Sequence, residues 1–320
     1  MSNWLYLCSL PPTRQPRGNE PTQVLLRLYG QIHGERALEG LITESVIFTL
    51  LSERRLGPRL HGVFPGGRLE EYIPARPLRT RELSDPKLSA LIGEKIALVH
   101  SMNVPISKEP RWLWDTMSRW MQSLQEQNEE QNTSPQSAEQ LSKLLKQLTR
   151  VGSPVVFGHN DLQEGNILLR EDAAHQLVLI DFEYCSYNYR GFDLANHFCE
   201  WTYDYTPQQA PNFSSSPELY PSREQQLVLV RSYLATLARE KGLQSVDSAE
   251  EEAVLREEYA KIRLEAYFAH KAELLSTCEL RLHDNKVPLG QVPGSDVPGQ
   301  VPGAALVVAE SLKRKATEME

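Results

Sequence analysis

The fold is decided by the stretch Phe157-Gly-His159-Asn-Asp161-Leu-Gln-Glu-Gly-Asn166-Ile-Leu-Leu169, which Leu177-Val-Leu-Ile-Asp181-Phe-Glu183 follows. Short apolar runs typical of strands alternate there with polar residues and a glycine. Asp161 and Asn166 stand five residues apart, and a hydrophobic run ends abruptly at Asp181. Turns capped by Asp and Asn are the alternative explanation. They do not explain why two separate strands both end in carboxylates, so the stretch predicts one polar site.

The spacing of these residues resembles the His-x-Asp-x-x-x-x-Asn and Asp-Phe-x motifs of protein-kinase-like phosphotransferases. Phosphoryl transfer needs a carboxylate to accept the proton of the acceptor hydroxyl, and oxygen ligands to hold Mg²⁺ against the phosphates. Asp161 is therefore the predicted base. Asn166 and Asp181 are the predicted ligands of Mg²⁺, which prefers hard oxygen donors. The expected fold is α+β and bilobal, protein-kinase-like, with a small, incomplete β-rich N-lobe and a larger, mostly helical C-lobe.

Size and composition are those of an ordinary globular protein. The chain has 320 residues, a net charge of −8 and 40% hydrophobic residues. The negative charge argues against nucleic acid or an anionic membrane as the main partner. The start lacks the features of a secretory signal, and no run approaches the ~18–20 apolar residues of a membrane span. Four scattered cysteines without metal-binding spacing predict free thiols and a cytoplasmic location.

The first part of the chain reads as a small β-rich lobe. Strand-like runs over 4–10 and 23–29 predict a β-hairpin. A helix is expected over 43–53, and two more strands over 60–64 and 68–73 surround a Pro-Gly-Gly turn.

Arg27 lies in the middle of the second apolar run, where a buried cation requires a partner. Glu44, at the start of the predicted helix, is the expected partner, because in kinase folds a strand cation pairs with a helix carboxylate and orients the nucleotide phosphates. A strand-edge Arg that reaches solvent is the alternative. Further along, Asp85 and Pro86 predict a helix start, and His100 at the end of that helix is expected to be structural because the sequence shows no partner for it.

The segment over 183–205 is rich in aromatic and polar residues, among them Tyr184, Glu200 and Tyr205. Aromatic faces with carboxylates suit a quaternary ammonium ligand, because such a cation donates no strong hydrogen bonds and is held by ring quadrupoles and negative charge. Packing in the core is the alternative, and for Tyr184, Glu200 and Tyr205 both interpretations stay open. Core packing is preferred for Phe192, Phe198 and Trp201.

Several motifs resemble the choline/ethanolamine kinase family. They are His159-Asn-Asp-Leu-Gln-Glu-Gly-Asn-Ile-Leu-Leu169, Ile180-Asp-Phe-Glu-Tyr184, Tyr187-Asn-Tyr-Arg-Gly-Phe-Asp193 and Asn196-His-Phe-Cys-Glu-Trp201. The Gln-Glu-Gly in the first motif and the Phe in the second resemble the choline kinase branch. The resemblance implies ATP- and Mg²⁺-dependent phosphorylation of choline, or of ethanolamine, as the first step of phosphatidylcholine synthesis by a cytosolic dimer.

The resemblance also assigns roles to individual residues. It places the base at Asp161 and the metal ligands at Asn166 and Asp181. It places nucleotide binding at Arg27, Glu44, Ser2 and Asn3, and part of the choline pocket at Tyr184, Glu200, Tyr205 and Tyr259.

Two departures from the family pattern predict a truncated and internally deleted variant. The family's small lobe begins with a glycine-rich loop that ends in a Ser-Asn pair, whereas this chain begins at Met1-Ser2-Asn3. The family also carries a tryptophan pair in a long helix, whereas no tryptophan follows Trp201 here. A catalytically impaired chain that dimerises with a full-length choline kinase is therefore the alternative function. An aminoglycoside phosphotransferase ranks last, because its antibiotic would require an acidic surface in place of the Tyr-rich run.

The predicted domains are three. An N-lobe over 1–74 binds nucleotide and lacks most of the glycine-rich loop, and a C-lobe over 75–281 is catalytic and binds choline. A tail over 282–320 contains repeated Val-Pro-Gly. Such a Pro/Gly-rich segment cannot bury a core, which predicts disorder.

Overall fold

The structure is a computed structural model that describes residues 4–30, 35–111, 115, 153–173, 176–206, 213–243 and 248–255. Ser2, Asn3, Tyr259 and the predicted tail lie outside these residues. The chain divides into two compact units. The first unit comprises the described parts of Met1–Arg79 and Glu164–Glu183, and the second comprises those of Thr80–Gln163 and of the chain from Tyr184 onward. The functional division into lobes at residue 74 stays a prediction.

A four-stranded antiparallel sheet and one helix make up most of the first unit. The sheet order is β1-β2-β4-β3. Its strands are β1 (Trp4–Ser9), β2 (Gln23–Leu28), β3 (Leu60–Phe64) and β4 (Gly67–Glu71), and helix α1 spans Glu35–Glu53. The predicted hairpins are confirmed. The helix begins at Glu35 rather than at residue 43, because residues with high helix propensity, such as Leu41, also precede residue 43.

A three-stranded sheet of the first unit contains the two strands that adjoin Asn166 and Asp181. Its strands are β5 (Ala75–Pro77), β7 (Ile167–Arg170) and β8 (Leu177–Leu179), in the order β5-β7-β8. Ile73, Ala75 and Leu168 form a buried cluster, against which Val178 and Ile180 pack. This apolar cluster holds the strands that start just after Asn166 and end just before Asp181.

The second unit is built from helices and two short ladders. The helices are α2 (Pro86–His100), α3 (Arg190–Glu200), α4 (Arg223–Glu240) and α5 (Ser248–Leu255). The ladders pair β6 (Val155–Gly158) with β9 (Ser186–Tyr189) and β10 (Tyr203–Asp204) with β11 (Ser214–Ser215). The predicted cap of α2 is confirmed, since Asp85 Oδ1 accepts hydrogen bonds from the Lys87 and Leu88 N–H groups at 2.8 and 3.0 Å.

Close helix packing fixes the core of the second unit. A Cβ added at Gly93 in α2 would lie 2.4 Å from the carbonyl oxygen of Leu229 in α4, so the two backbones meet where only a glycine fits. All of α3 is buried. The predicted core packing is confirmed for Phe192, Phe198 and Trp201.

Two further expectations from the sequence can be checked on the described residues. Cys8, Cys185 and Cys199 are free thiols, as predicted. Within the same residues, every helix is too short or too polar to cross a bilayer.

Candidate active site

The loop that carries Asp161 follows β6 and begins with an unusual turn. Asn160 has a φ of 66°, a left-handed conformation that is uncommon outside glycine and that Asn tolerates better than most residues. Its side chain fixes the turn: Nδ2 donates to the Tyr184 carbonyl at 2.9 Å and to Ser186 Oγ at 3.0 Å. Its Oδ1 accepts a hydrogen bond from Asn188 Nδ2 at 2.9 Å. These contacts with β9 and with Tyr184, which precedes it, fix the backbone just before Asp161.

The side chain of Asp193 in α3 binds the backbone of the same loop. Its two oxygens accept the N–H groups of His159 at 2.8 Å and Asn160 at 2.7 Å. Burial by itself raises the pKa of this carboxyl, but the hydrogen bond and charge of His100 and the contacts with His159 outweigh burial, and the pKa of Asp193 is lowered. A charged carboxylate is the stronger acceptor for two backbone donors.

His100 has partners that the sequence did not reveal. Its Nε2 lies 3.0 Å from Asp193 Oδ2, and its Nδ1 lies 2.9 Å from the hydroxyl of Tyr233. The expectation that His100 lacks a partner is therefore wrong, because the groups it contacts lie on helices 93 and 133 residues further along the chain. The histidine connects α2 and α4 to the carboxylate that holds the Asp161 loop.

Asn166 and Asp181 both lie in the first unit, where a backbone hydrogen bond joins the segments that carry them. The N–H of Ile180 donates to the Asn166 carbonyl at 3.0 Å, so Asp181 follows a residue that is hydrogen-bonded to Asn166. Asp181 has a φ of 65°, again in the left-handed region. Such conformations of non-glycine residues cluster at functional sites.

The donor set at these two positions fits Mg²⁺. Among the described residues there is no group of three or more His, Cys, Asp or Glu side chains that could hold a metal ion. Protein Mg²⁺ sites of phosphotransferases commonly use one or two carboxylates, with waters and substrate phosphates supplying the other oxygens. One carboxylate at Asp181 and one amide oxygen at Asn166 match that pattern, and softer ligands are not required.

Four charged side chains form a continuous chain in the first unit. Arg27 Nε donates to Glu70 Oε1 at 2.6 Å, and Arg68 Nε donates to the same oxygen at 2.7 Å. Arg68 Nη1 donates to Glu44 Oε1 at 2.7 Å. The predicted direct pair between Arg27 and Glu44 is therefore wrong, because Glu70 and Arg68 stand between these two residues.

The strand register explains this arrangement. Arg27 of β2 and Arg68 of β4 are cross-strand partners, and like charges directly opposite each other are destabilising. Glu70 lies two residues beyond Arg68 and so shares its face of the strand. Burial alone raises the pKa of Glu70, but the attraction of Arg27 and Arg68 outweighs it, and the pKa is lowered. Arg68 also lies over the Phe48 ring, with 4.2 Å between its guanidinium carbon and the ring centroid.

A cavity in the first unit brings several predicted residues together. Arg27, Glu44 and Asp181 all line it. Its apolar lining includes Leu7, Leu25, Ile73 and Leu168. Apolar side chains together with cations and carboxylates are the kind of lining that suits a small molecule with a ring and charged groups.

Two of the predicted choline-binding residues are joined in the second unit. The hydroxyl of Tyr205 donates to Glu200 Oε2 at 2.8 Å. The Tyr205 ring is stacked with Tyr203 at a centroid distance of 6.1 Å, and Tyr203 contacts Phe213 at 5.8 Å. Tyr184 belongs to the same unit. Aromatic rings and a carboxylate thus adjoin each other here.

Sequence reasoning missed four residues that hold the predicted site residues in place. Arg68 and Glu70 link Arg27 to Glu44, and Asp193 and His197 contact the loop of Asp161. Periodicity contained a signal for each pair. Residues 68 and 70 share one face of a strand, and residues 193 and 197 share one face of a helix. Two charged or titratable residues on the same face of one strand or helix are the feature that would have identified them.

Comparison with known proteins identifies the family. The family model described as choline/ethanolamine kinase matches residues 1–270. The chain is 46% identical over 278 residues to a rat choline/ethanolamine kinase, and the alignment covers 84% of this chain and 70% of that protein. It is 47% identical over 276 residues to a human choline/ethanolamine kinase, with 84% and 69% covered.

Solved structures agree with the predicted fold. A choline kinase from Cryptosporidium parvum superimposes with a TM-score of 0.64 at 25% identity, covering 89% of this chain and 90% of that one. A Plasmodium vivax ethanolamine kinase superimposes with a TM-score of 0.62 at 21% identity, covering 82% and 73%. The predicted α+β, protein-kinase-like fold is confirmed. With a family model matched over most of its length and close relatives at nearly half identity, the chain belongs to the choline/ethanolamine kinase family.

Proposed function

We propose that the protein transfers the γ-phosphoryl group of ATP to the hydroxyl of choline or ethanolamine. Family membership supports the reaction type, because the relatives at nearly half identity are choline/ethanolamine kinases. The observation that carries the proposal is the cavity of the first unit, whose lining combines Arg27, Asp181 and an apolar wall. The apolar residues of the lining suit a purine, and the cation of Arg27 suits a phosphate group.

The proposed reaction is an in-line displacement. The choline oxygen attacks the γ-phosphorus as the bond to the bridging oxygen of ADP breaks, and the hydroxyl proton passes to the carboxylate of Asp161. The products are phosphocholine and ADP. The loop that carries Asp161 is suited to this role, because hydrogen bonds of Asn160 and Asp193 define its backbone.

Asn166 and Asp181 are the proposed holders of Mg²⁺. The ion, when bound, neutralises charge on the transferring phosphoryl group. The backbone hydrogen bond between Ile180 and Asn166 joins the two segments that carry these proposed ligands. Because Glu70 holds Arg27 through its Nε, the guanidinium is kept in a fixed orientation at the cavity lining.

Glu200 and Tyr205 are proposed to bind the ammonium group of the substrate, with Tyr184 and Tyr259. The hydrogen bond between Tyr205 and Glu200 keeps a carboxylate next to an aromatic ring, and a quaternary ammonium is attracted to both. Cytoplasmic location, dimer formation and the nucleotide roles of Ser2 and Asn3 stay predictions from the resemblance.

The test measures Mg-ATP-dependent phosphocholine formation by the full chain and by Asp161→Asn. Loss of the base is expected to lower kcat by at least about a hundredfold. Asp172→Asn is the matched control, because its exposed carboxylate pairs with Arg170 at the end of β7 that lies away from Asn166. It is expected to keep wild-type turnover. Turnover that persists in Asp161→Asn would exclude the assigned base.

The alternative function, a catalytically impaired partner of a full-length kinase, rests on sequence features outside the described residues. Measuring turnover of the chain alone, and after co-purification with a full-length choline kinase, separates the two. Activity of the chain alone supports the enzyme, and a stable complex without such activity supports the partner role.

A further inference from the structure

A buried histidine contacts the loop of Asp161 just after this residue, whereas Asp193 contacts the loop just before it. His197 of α3 is fully buried, and its Nδ1 lies 2.9 Å from the carbonyl oxygen of Leu162. Leu162 directly follows Asp161 in the chain. The mechanism proposed above gives His197 no role.

The two contacts of the His197 ring fix its protonation. A carbonyl oxygen only accepts hydrogen bonds, so Nδ1 must carry a proton and donate it to Leu162. The indole N–H of Trp201 only donates, and it lies 3.3 Å from Nε2, so Nε2 must be unprotonated. His197 is therefore a neutral imidazole with a defined tautomer. Burial also lowers the pKa of His197, to about 4, despite the opposing contributions of the Leu162 carbonyl and Asp193.

His197 and Asp193 act on the two sides of one residue. Asp193 accepts the N–H groups of His159 and Asn160, ahead of Asp161, and His197 donates to the carbonyl just after it. The two side chains lie four positions apart, on one face of a single buried helix. Helix α3 thus holds the backbone both before and after Asp161.

We propose that His197 is a positioning residue, which holds the Leu162 carbonyl so that the carboxylate of Asp161 is kept in the orientation that accepts the substrate proton. The inference rests on the proposed function, since it assumes that Asp161 is the base. His197 itself does not contact substrate in this proposal. Small misplacements of a catalytic group, of the order of 1 Å, are known to lower rates by about a hundredfold.

The proposal separates three variants of the full chain. His197→Leu removes the donor and approximately keeps the volume, whereas His197→Asn keeps an N–H close to the position of Nδ1. His197→Gln extends the amide by one bond and takes the place of the leucine variant if that variant does not fold. We expect kcat to fall by about tenfold to a hundredfold in His197→Leu or His197→Gln. We expect His197→Asn to recover most of that loss.

Steady-state kinetics of variants with equal folded fractions distinguish a positioning role of His197 from an effect on protein stability alone. The KM values for ATP and for choline are expected to stay within about twofold of wild type, because the ground-state contacts are unchanged. An unchanged kcat, a loss in His197→Asn as large as in His197→Leu, or KM values that rise while kcat holds would each overturn the proposal.

Wild type and Asp161→Asn are measured in the same series. Absence of wild-type turnover, or turnover that survives Asp161→Asn, refutes the proposed function. Wild-type turnover that depends on Asp161 but is insensitive to all three His197 variants refutes the positioning role alone.

Discussion

Acidification from pH 7 to pH 4 is expected to lower the free energy of unfolding through His197. In the folded protein this imidazole is neutral, because burial lowers its pKa to about 4 from the ordinary value of 6.5. In the unfolded chain it takes up a proton below about pH 6.5. Between these two pH values the unfolded state binds more protons than the folded state, so stability falls as the pH falls.

The magnitude follows from the difference between the two pKa values, 6.5 − 4 = 2.5. Each unit corresponds to about 1.4 kcal/mol, so the loss is roughly 3 kcal/mol between pH 6.5 and pH 4. The contribution of His197 is fully present above pH 6.5 and levels off below about pH 4. A loss of this size is a large part of the ~5–15 kcal/mol by which ordinary domains are stable.

Urea denaturation at several pH values between 7 and 4 measures this effect. His197→Asn is the informative variant, because asparagine does not titrate while the carboxylates common to both proteins contribute equally. The wild type is expected to lose roughly 3 kcal/mol more than His197→Asn over this range. His61→Asn is the control, since His61 is exposed on β3, and it is expected to keep the wild-type pH dependence. If wild type and His197→Asn lose stability in parallel, the argument from burial and the Trp201 contact is refuted.

Two other substitutions test the packing of each unit by chemical denaturation. Arg68→Met leaves Glu44 without its cation while Glu70 keeps Arg27, so we expect a loss of about 3 kcal/mol, against 0–1 kcal/mol for Arg170→Gln in an exposed pair. Equal losses in these two variants would contradict the importance of the buried chain. Gly93→Ala places a Cβ 2.4 Å from the Leu229 carbonyl oxygen and is expected to cost about 1–3 kcal/mol or more. A neutral result there would mean that α2 and α4 can separate without loss.

Local patterns predicted the elements well, because their physical causes are local. The start of α2 depends on a side chain that caps its own helix, and Asp85 forms that cap with residues two and three positions further on. The strands of the first unit depend on alternation and turn residues, and the observed bounds of β1 and β3 differ little from the predicted ones. The start of α1 was misplaced because residues with high helix propensity continue ahead of the segment used for the prediction.

Partners across long separations could not be predicted in the same way. The pairing of Arg27 with Glu70 depends on the register between β2 and β4, and a sequence of charges alone is compatible with several registers. The contact between His100 and Asp193 joins residues of two helices 93 positions apart. Periodicity places each of these residues on a face of its element, but only the packing decides which faces meet.

Backbone conformation adds an independent reason to assign a function to the motif residues. Among the described residues other than glycine, φ is positive at Arg55, Asn160 and Asp181. Arg55 lies two residues beyond α1, where a left-handed residue commonly ends a helix. Asn160 is retained by its side-chain hydrogen bonds, which a glycine could not make.

Helix termination does not apply at Asp181, because this residue follows strand β8. A glycine would adopt this φ without any steric cost from a side chain, although Asp tolerates it better than most residues. A carboxylate at a position where glycine would be less strained supports the hypothesis that the carboxylate itself has a function. The proposed metal role gives the carboxylate such a function, and the backbone angle supports this proposal without reference to the spacing of the motif.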